Sequence, residues 1–218
     1  MKTFCTFLCF FLATTLFCSA QVLLGEGSKQ IFASPQLATA IKQHQTVAIL
    51  PFEAKITYRK QPKNFSAEAH QEQEATLAQN IQSSMYTYLL RKAKSYSVTF
   101  QDVEKTNILL QKAGMYGKLK EFTRDEIAKA LGVDAVISGK FDMEQTRSDG
   151  AALATAVVFG GYAGKTGSGS LTMTINNGQD GELLWRFFKT MDDDFTSSTD
   201  DMVERMMRKV SRNFPYAL

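Results

Sequence analysis

Thr46-Val47-Ala48-Ile49-Leu50-Pro51-Phe52 is an unbroken β-branched and apolar run of strand length. A strand with one wet face alternates in polarity. One that is apolar on both parities suits a position covered on both faces, as in a parallel sheet under helices. Leu131-Gly132-Val133-Asp134-Ala135-Val136-Ile137-Ser138-Gly139 repeats the signature, with a helix end running straight into a second largely buried strand.

Between these two strands the pattern is helical. From Ser66 to about Lys92 there is no Gly or Pro, and Leu77, Ile81, Met85, Tyr88 and Leu89 recur at three- and four-residue steps. That spacing predicts a long amphipathic helix with one buried face. Lys55 to Phe65 reads as a strand extension and a loop, and Tyr96 to Phe100 as a strand. Val103 to Ala113 reads as a helix stopped by Gly114. Thr123-Arg124-Asp125-Glu126 carries the reciprocal capping pattern, a hydroxyl followed three residues later by a carboxylate. On the amino side, residues 21–45 read as a lead-in, with Ser34-Pro35 starting a short helix through about Lys42.

The carboxyl third changes character. Gly160 to Ser170 is rich in Gly and Ser and reads as a loop, and Leu171 to Ile175 is strand-like. The turn cluster Asn176 to Gly181 separates that strand from Leu183 to Phe188, which predicts a β-hairpin. Ser197 to Asp201 cap a last helix whose Met202, Val203, Met206, Val210 and Phe214 share a face. The expected fold is α/β: a mixed β-sheet packed by helices, one domain over residues 46–218, closed by a C-terminal hairpin and helix.

The first residues are a short basic end, an uncharged stretch from Phe4 to Phe17, and the small residues Cys18-Ser19-Ala20. This is the pattern of a signal peptide cleaved after Ala20. Its apolar core falls short of the roughly 20 residues of a membrane-spanning helix. A membrane anchor and a lipid-modified Cys18 are the competing readings, the latter giving a lipid-anchored protein. Cys5, Cys9 and Cys18 all lie in this segment, so the mature chain holds no disulfide and depends on its core. The expected location is the periplasm.

The formal charge is +3, and the basic residues are spread along the chain, which argues against nucleic acid as a partner. Gly160-Gly161-Tyr162-Ala163-Gly164-Lys165-Thr166 looks like a phosphate-cradling loop, but Phe159 stands where the first glycine is required. His44 and His70 are the only imidazoles and read as helix-surface residues. With no thiol left after processing, no tetrahedral zinc site is expected, and the sequence implies no cofactor. Asp192-Asp193-Asp194 lacks the alternating ligands of a calcium loop, and acids before a helix complement its dipole. The methionines Met202, Met206 and Met207 read as core filler and Trp185 as a buried anchor.

Ala151 to Tyr162 is too apolar for an exposed loop. Val157, Val158, Phe159 and Tyr162 are the candidate interaction surface, buried in the fold, in a partner or in lipid.

In order and spacing, three stretches resemble the periplasmic α/β domain of the curli secretion channel family and the related amino-terminal domain of the Tol-Pal translocation protein. They are Val47 to Phe52, Leu131 to Gly139, and Asp180-Gly181-Glu182-Leu183-Leu184-Trp185. The resemblance implies a central strand, a helix end feeding a second strand, and a closing hairpin. A channel subunit of that family also has two amphipathic hairpins that build a barrel. Phe141 to Gly164 would hold one, but Ala151 to Phe159 is apolar on both parities and the second hairpin has no counterpart. The functional expectation is a non-enzymatic envelope module, accessory to secretion or surface assembly, that binds envelope proteins or itself and touches membranes only peripherally. The alternatives are a periplasmic hydrolase with a spatially assembled site and an outer-membrane channel subunit.

Overall fold

The computed structural model describes residues 29–59, 61, 64–145, 167–191 and 199–218. Its strands are β1 (Lys29–Ala33), β2 (Thr46–Ile49), β3 (Glu53–Tyr58), β4 (Thr99–Phe100), β5 (Ala135–Gln145), β6 (Gly167–Asn177) and β7 (Leu183–Met191). Its helices are α1 (Leu37–Ala40), α2 (Ala67–Arg91), α3 (Val103–Lys112), α4 (Arg124–Leu131) and α5 (Thr199–Ser211). The strands make one open, mixed sheet in the order β1-β7-β6-β5-β2-β4, and β3 also pairs with β5. β2 is parallel to β4 and β5, whereas β5, β6, β7 and β1 run antiparallel in succession. The expected mixed sheet packed by helices is the observed fold, and among the described residues it does not close into a barrel.

The opening run explains the centre of the sheet. Val47, Ala48, Ile49 and Leu50 are all fully buried, and they divide by parity between two cores. Val47 and Ile49 face Leu77, Ile81, Met85 and Leu89 of α2 together with Met202, Val203, Met206 and Val210 of α5. Ala48 and Leu50 face Leu110 of α3 and Ile127, Ala128 and Leu131 of α4. A strand between two helical layers has no wet face, hence its unbroken apolar sequence.

Local signals set the helix ends. Ser66 Oγ accepts the Ala69 amide at 3.3 Å to start α2. Thr123 and Glu126 complete the capping box of α4, and Gly132, at φ 65°, ends it in the left-handed conformation that glycine adopts without strain. After β2 the chain kinks through Pro51 and resumes as β3, so the long β5 pairs first with β2 at Ala135 to Ile137 and then with β3 at Lys140 to Gln145.

Several elements differ from the sequence reading. Lys29–Ala33 of the lead-in forms β1, an edge strand whose five residues are all exposed. The short helix is a single turn from Leu37 to Ala40. Only Thr99–Phe100 of the Tyr96 to Phe100 run is a strand, with Tyr96 making an isolated bridge to Ala217. Gly167 to Ser170, read as loop, belongs to β6, because Asp142 to Gln145 opposite give each residue a partner.

Candidate functional site

The candidate surface Val157, Val158, Phe159 and Tyr162 lies outside the described residues, as do the glycine-rich run up to Thr166 and Asp192-Asp193-Asp194. The structure does place the two ends of the segment. β5 and β6 remain in register to their tips, where Gln145 pairs with Gly167, and Tyr58 pairs with Gln145 on the other side. Residues 146–166 therefore leave and rejoin the sheet at one point on its rim.

A recess of about 450 Å³ lies beside the carboxyl end of β2, between Leu50 to Glu53, the turn Gly117 to Glu121, and Arg124, Ser138 and Gly139. Its position follows from topology. The connection from β2 to β4 crosses one face through α2, and that from β4 to β5 crosses the other through α3 and α4, so the chain parts at the end of β2. Such switch points are where open α/β sheets hold ligands. Arg124 is half-buried, and burial pulls its guanidinium below the ordinary arginine range. Ser138 Oγ is buried without a hydrogen-bond partner among the described residues. Lys120 and Glu53 pair at 2.8 Å on the exposed rim. Sequence reasoning missed this recess, whose residues are scattered over ninety positions and match no motif.

The hydrolase alternative requires a base near a nucleophile. His44 is not the helix-surface residue expected from sequence: it precedes β2 and is buried, because the C-terminal tail covers it. Its Nε2 lies 3.2 Å from Asn177 Oδ1 and its Nδ1 2.7 Å from Tyr216 Oη. With Nε2–H donating to Asn177, Nδ1 accepts the Tyr216 hydroxyl. Burial, then the negative charge of Asp134, push the Tyr216 phenol above its ordinary range and keep it neutral. Asp134 Oδ2 accepts the amides of Gln45 and Thr46, both at 2.8 Å, and so fixes the start of β2. His70, on α2, meets Glu74 Oε1 at 3.2 Å and packs at a tilt against the rings of Tyr58 and Phe65. Among the described residues neither imidazole is bonded to a serine or threonine, and Ser138 is not joined to either.

The expected structural roles of Trp185, Met202, Met206 and Met207 match their burial, at 4% exposure or less. No cluster of three or more potential metal ligands occurs among the described residues, and no described helix is long and apolar enough to cross a membrane.

No protein-family model and no curated protein matches the chain. Among solved structures it is similar to the lipoprotein GNA1162 from Neisseria meningitidis, with 10% identity, 77% of this chain and 96% of that one covered, and a TM-score of 0.45. It is similar also to the PelC dodecamer from Paraburkholderia phytofirmans, at 13% identity, covering 88% and 99% with a TM-score of 0.36. A third similarity is to the LpoB C-terminal domain from Salmonella enterica, at 13% identity, covering 73% and 94% with a TM-score of 0.35.

Proposed function

We propose that this chain is an exported, non-enzymatic binding module of the cell envelope, accessory to secretion or surface assembly, that associates through residues 151–162 with an envelope protein or a second copy of itself. The observation that supports this most directly is the pairing of Gln145 with Gly167. It brings the two ends of the intervening sequence together on the sheet rim, and a contiguous apolar stretch such as Val157, Val158, Phe159 and Tyr162 is suited to a partner. The likeness of the strand motifs to the curli channel and Tol-Pal domains supports an envelope location. The export signal supports the periplasm, with cleavage after Ala20 or, in the anchored alternative, acylation at Cys18. The engagement of His44 by Tyr216 and Asn177 favours binding over hydrolysis, since a general base must be free to take a proton.

The test is Val158→Asp combined with Phe159→Asp. Unpaired charges are costly to bury in an interface. The double variant should lose co-purification with envelope partners or self-association while keeping the wild-type circular dichroism and melting curve. Loss of folding would make the segment ordinary core, and association retained by a folded double variant would remove the proposal.

A further inference from the structure

The edge strands of an open sheet leave their outer main-chain groups unpaired, and proteins guard such edges with charge, short length or a covering element. β4 is only two residues long. β3 carries Glu53 and Lys55 at exposed positions, and Glu74 of α2 reaches over it to accept the Ile56 amide at 2.8 Å. β1 has no guard beyond Lys29 at its start: it contains no proline, runs in unbroken register with β7, and pairs with no other described strand.

This open edge has a defined chemistry. Ser34 N–H donates to Leu184 O at 2.8 Å, one step beyond the Ala33 and Trp185 pair. Bonding alternates from residue to residue in an antiparallel ladder, so Gln30 and Phe32 turn their amides and carbonyls to β7, and Lys29, Ile31 and Ala33 turn theirs outward. Ile31 and Phe32 are 41% and 48% exposed, and among the described residues no other exposed large apolar side chains are adjacent in sequence. They lie on opposite faces. Ile31 is across from Phe187, which is fully buried in the core under α2 and α5, whereas Phe32 is across from Arg186 on the other face. A ligand lying on either face would leave one of them wet, so what covers both is a further strand that continues the sheet.

A second copy of β1 meets that requirement in one arrangement. Antiparallel pairing about a two-fold axis at Ile31 sets Ile31 against Ile31, Lys29 against Ala33 and Gln30 against Phe32. Every outward residue then meets an outward residue and exchanges both main-chain bonds with it, and no lysine faces a lysine. A slip that brought Lys29 opposite Pro35 would lose a bond, since proline has no N–H. The symmetric pairing also extends the core. The buried row of Met173 and Phe187 stops at the exposed Ile31, and the second copy's Ile31 and Phe187 would carry it on. Head-to-tail pairing with β4 would match two residues to five and leave an unclosed chain of copies.

We propose that β1 is a self-association edge through which two copies of this chain join their sheets as a symmetric antiparallel pair, an interface separate from residues 151–162. With five residues a side the contact is small, and the dimer is weak and reversible. Residues 21–218 contain no cysteine, so single cysteines can report the register. Under mild oxidation Ile31→Cys should give a disulfide-linked dimer, because directly opposite residues of this kind have Cα atoms about 5.5 Å apart. Lys29→Cys alone should not, since its two copies stand roughly 13 Å apart along the strand direction, whereas Lys29→Cys combined with Ala33→Cys should. In sedimentation the wild-type dimer should grow with concentration. Ala33→Lys, which sets like charges opposite, should weaken it, and Ala33→Glu should tighten it, each by up to about tenfold. Wild type that stays monomeric at about 1 mM would overturn the proposal and leave the edge open or to a different protein. Cross-linking of Lys29→Cys as efficient as that of Ile31→Cys would overturn the two-fold register. A folded Val158→Asp with Phe159→Asp variant should still dimerise and still cross-link through Ile31→Cys; loss of both would give self-association to residues 151–162 and overturn the role of β1.

Discussion

The ring of Phe52 fills the space that a side chain on Gly139 would need. The kink at Pro51 turns Phe52 onto β5, and only a glycine there lets the ring lie against the strand.

Gly139→Ala should therefore destabilise the domain. Overpacking a filled core site costs about 1 to 3 kcal/mol. The melting temperature should fall, and Phe52→Leu added to Gly139→Ala should recover part of the loss. An alanine variant as stable as wild type would show that the ring has room to move and that the kink does not depend on the glycine.

Tyr216→Phe should cost about 1 to 3 kcal/mol, because it removes a hydroxyl from a buried imidazole nitrogen and leaves that nitrogen unpaired. Chemical denaturation reads this directly. Since the ring remains, its packing on Phe214 is kept, and a loss near zero would mean that water replaces the hydroxyl.

Asp134 gives the fold a pH dependence of known sign. Burial pushes its carboxyl up, but the amides of Thr46 and Gln45 and the nearby His44 outweigh that and hold it below the ordinary aspartate range. A carboxylate depressed in the folded state adds stability that is complete above its unfolded pKa and is lost as the pH falls through the folded one. The advantage of wild type over Asp134→Asn should be full near neutrality and shrink below about pH 4. Urea titrations of both proteins at neutral and acid pH test this. An advantage that grows on acidification would reverse the assignment.

Mass spectrometry of the exported protein should find Gln21 at the amino terminus and no acyl group. A diacylglyceryl group on Cys18 would replace a freely diffusing module with an anchored one.

The parallel heart of the sheet was legible because burial on both faces leaves no polar position: Val47 to Leu50 admit one reading. α4 was legible because Thr123, Glu126 and Gly132 each satisfy a local hydrogen-bonding or backbone demand. β1 was not, since an edge strand exposes every residue and KQIFA carries no burial pattern. The strand at Gly167 to Ser170 was hidden because its pairing depends on β5, not on its own propensity. His44 was misread for a similar reason, as its partners Tyr216 and Asn177 are remote in sequence. The candidate surface at Val157, Val158, Phe159 and Tyr162 remains a proposal drawn from composition and from its tether.

The bond between His44 and Tyr216 joins residues 172 positions apart, and β1 at one end of the described chain pairs with β7 near the other. Contacts of such long sequence separation form late and slowly. A polypeptide emerging from the ribosome cannot lock either closure until almost all of it has been made, which under the proposed export would keep it threadable while a translocation channel captures it. For a chain exported as proposed, the architecture would delay its own completion until the far side of the membrane, where β7 and Tyr216 fasten β1 and His44.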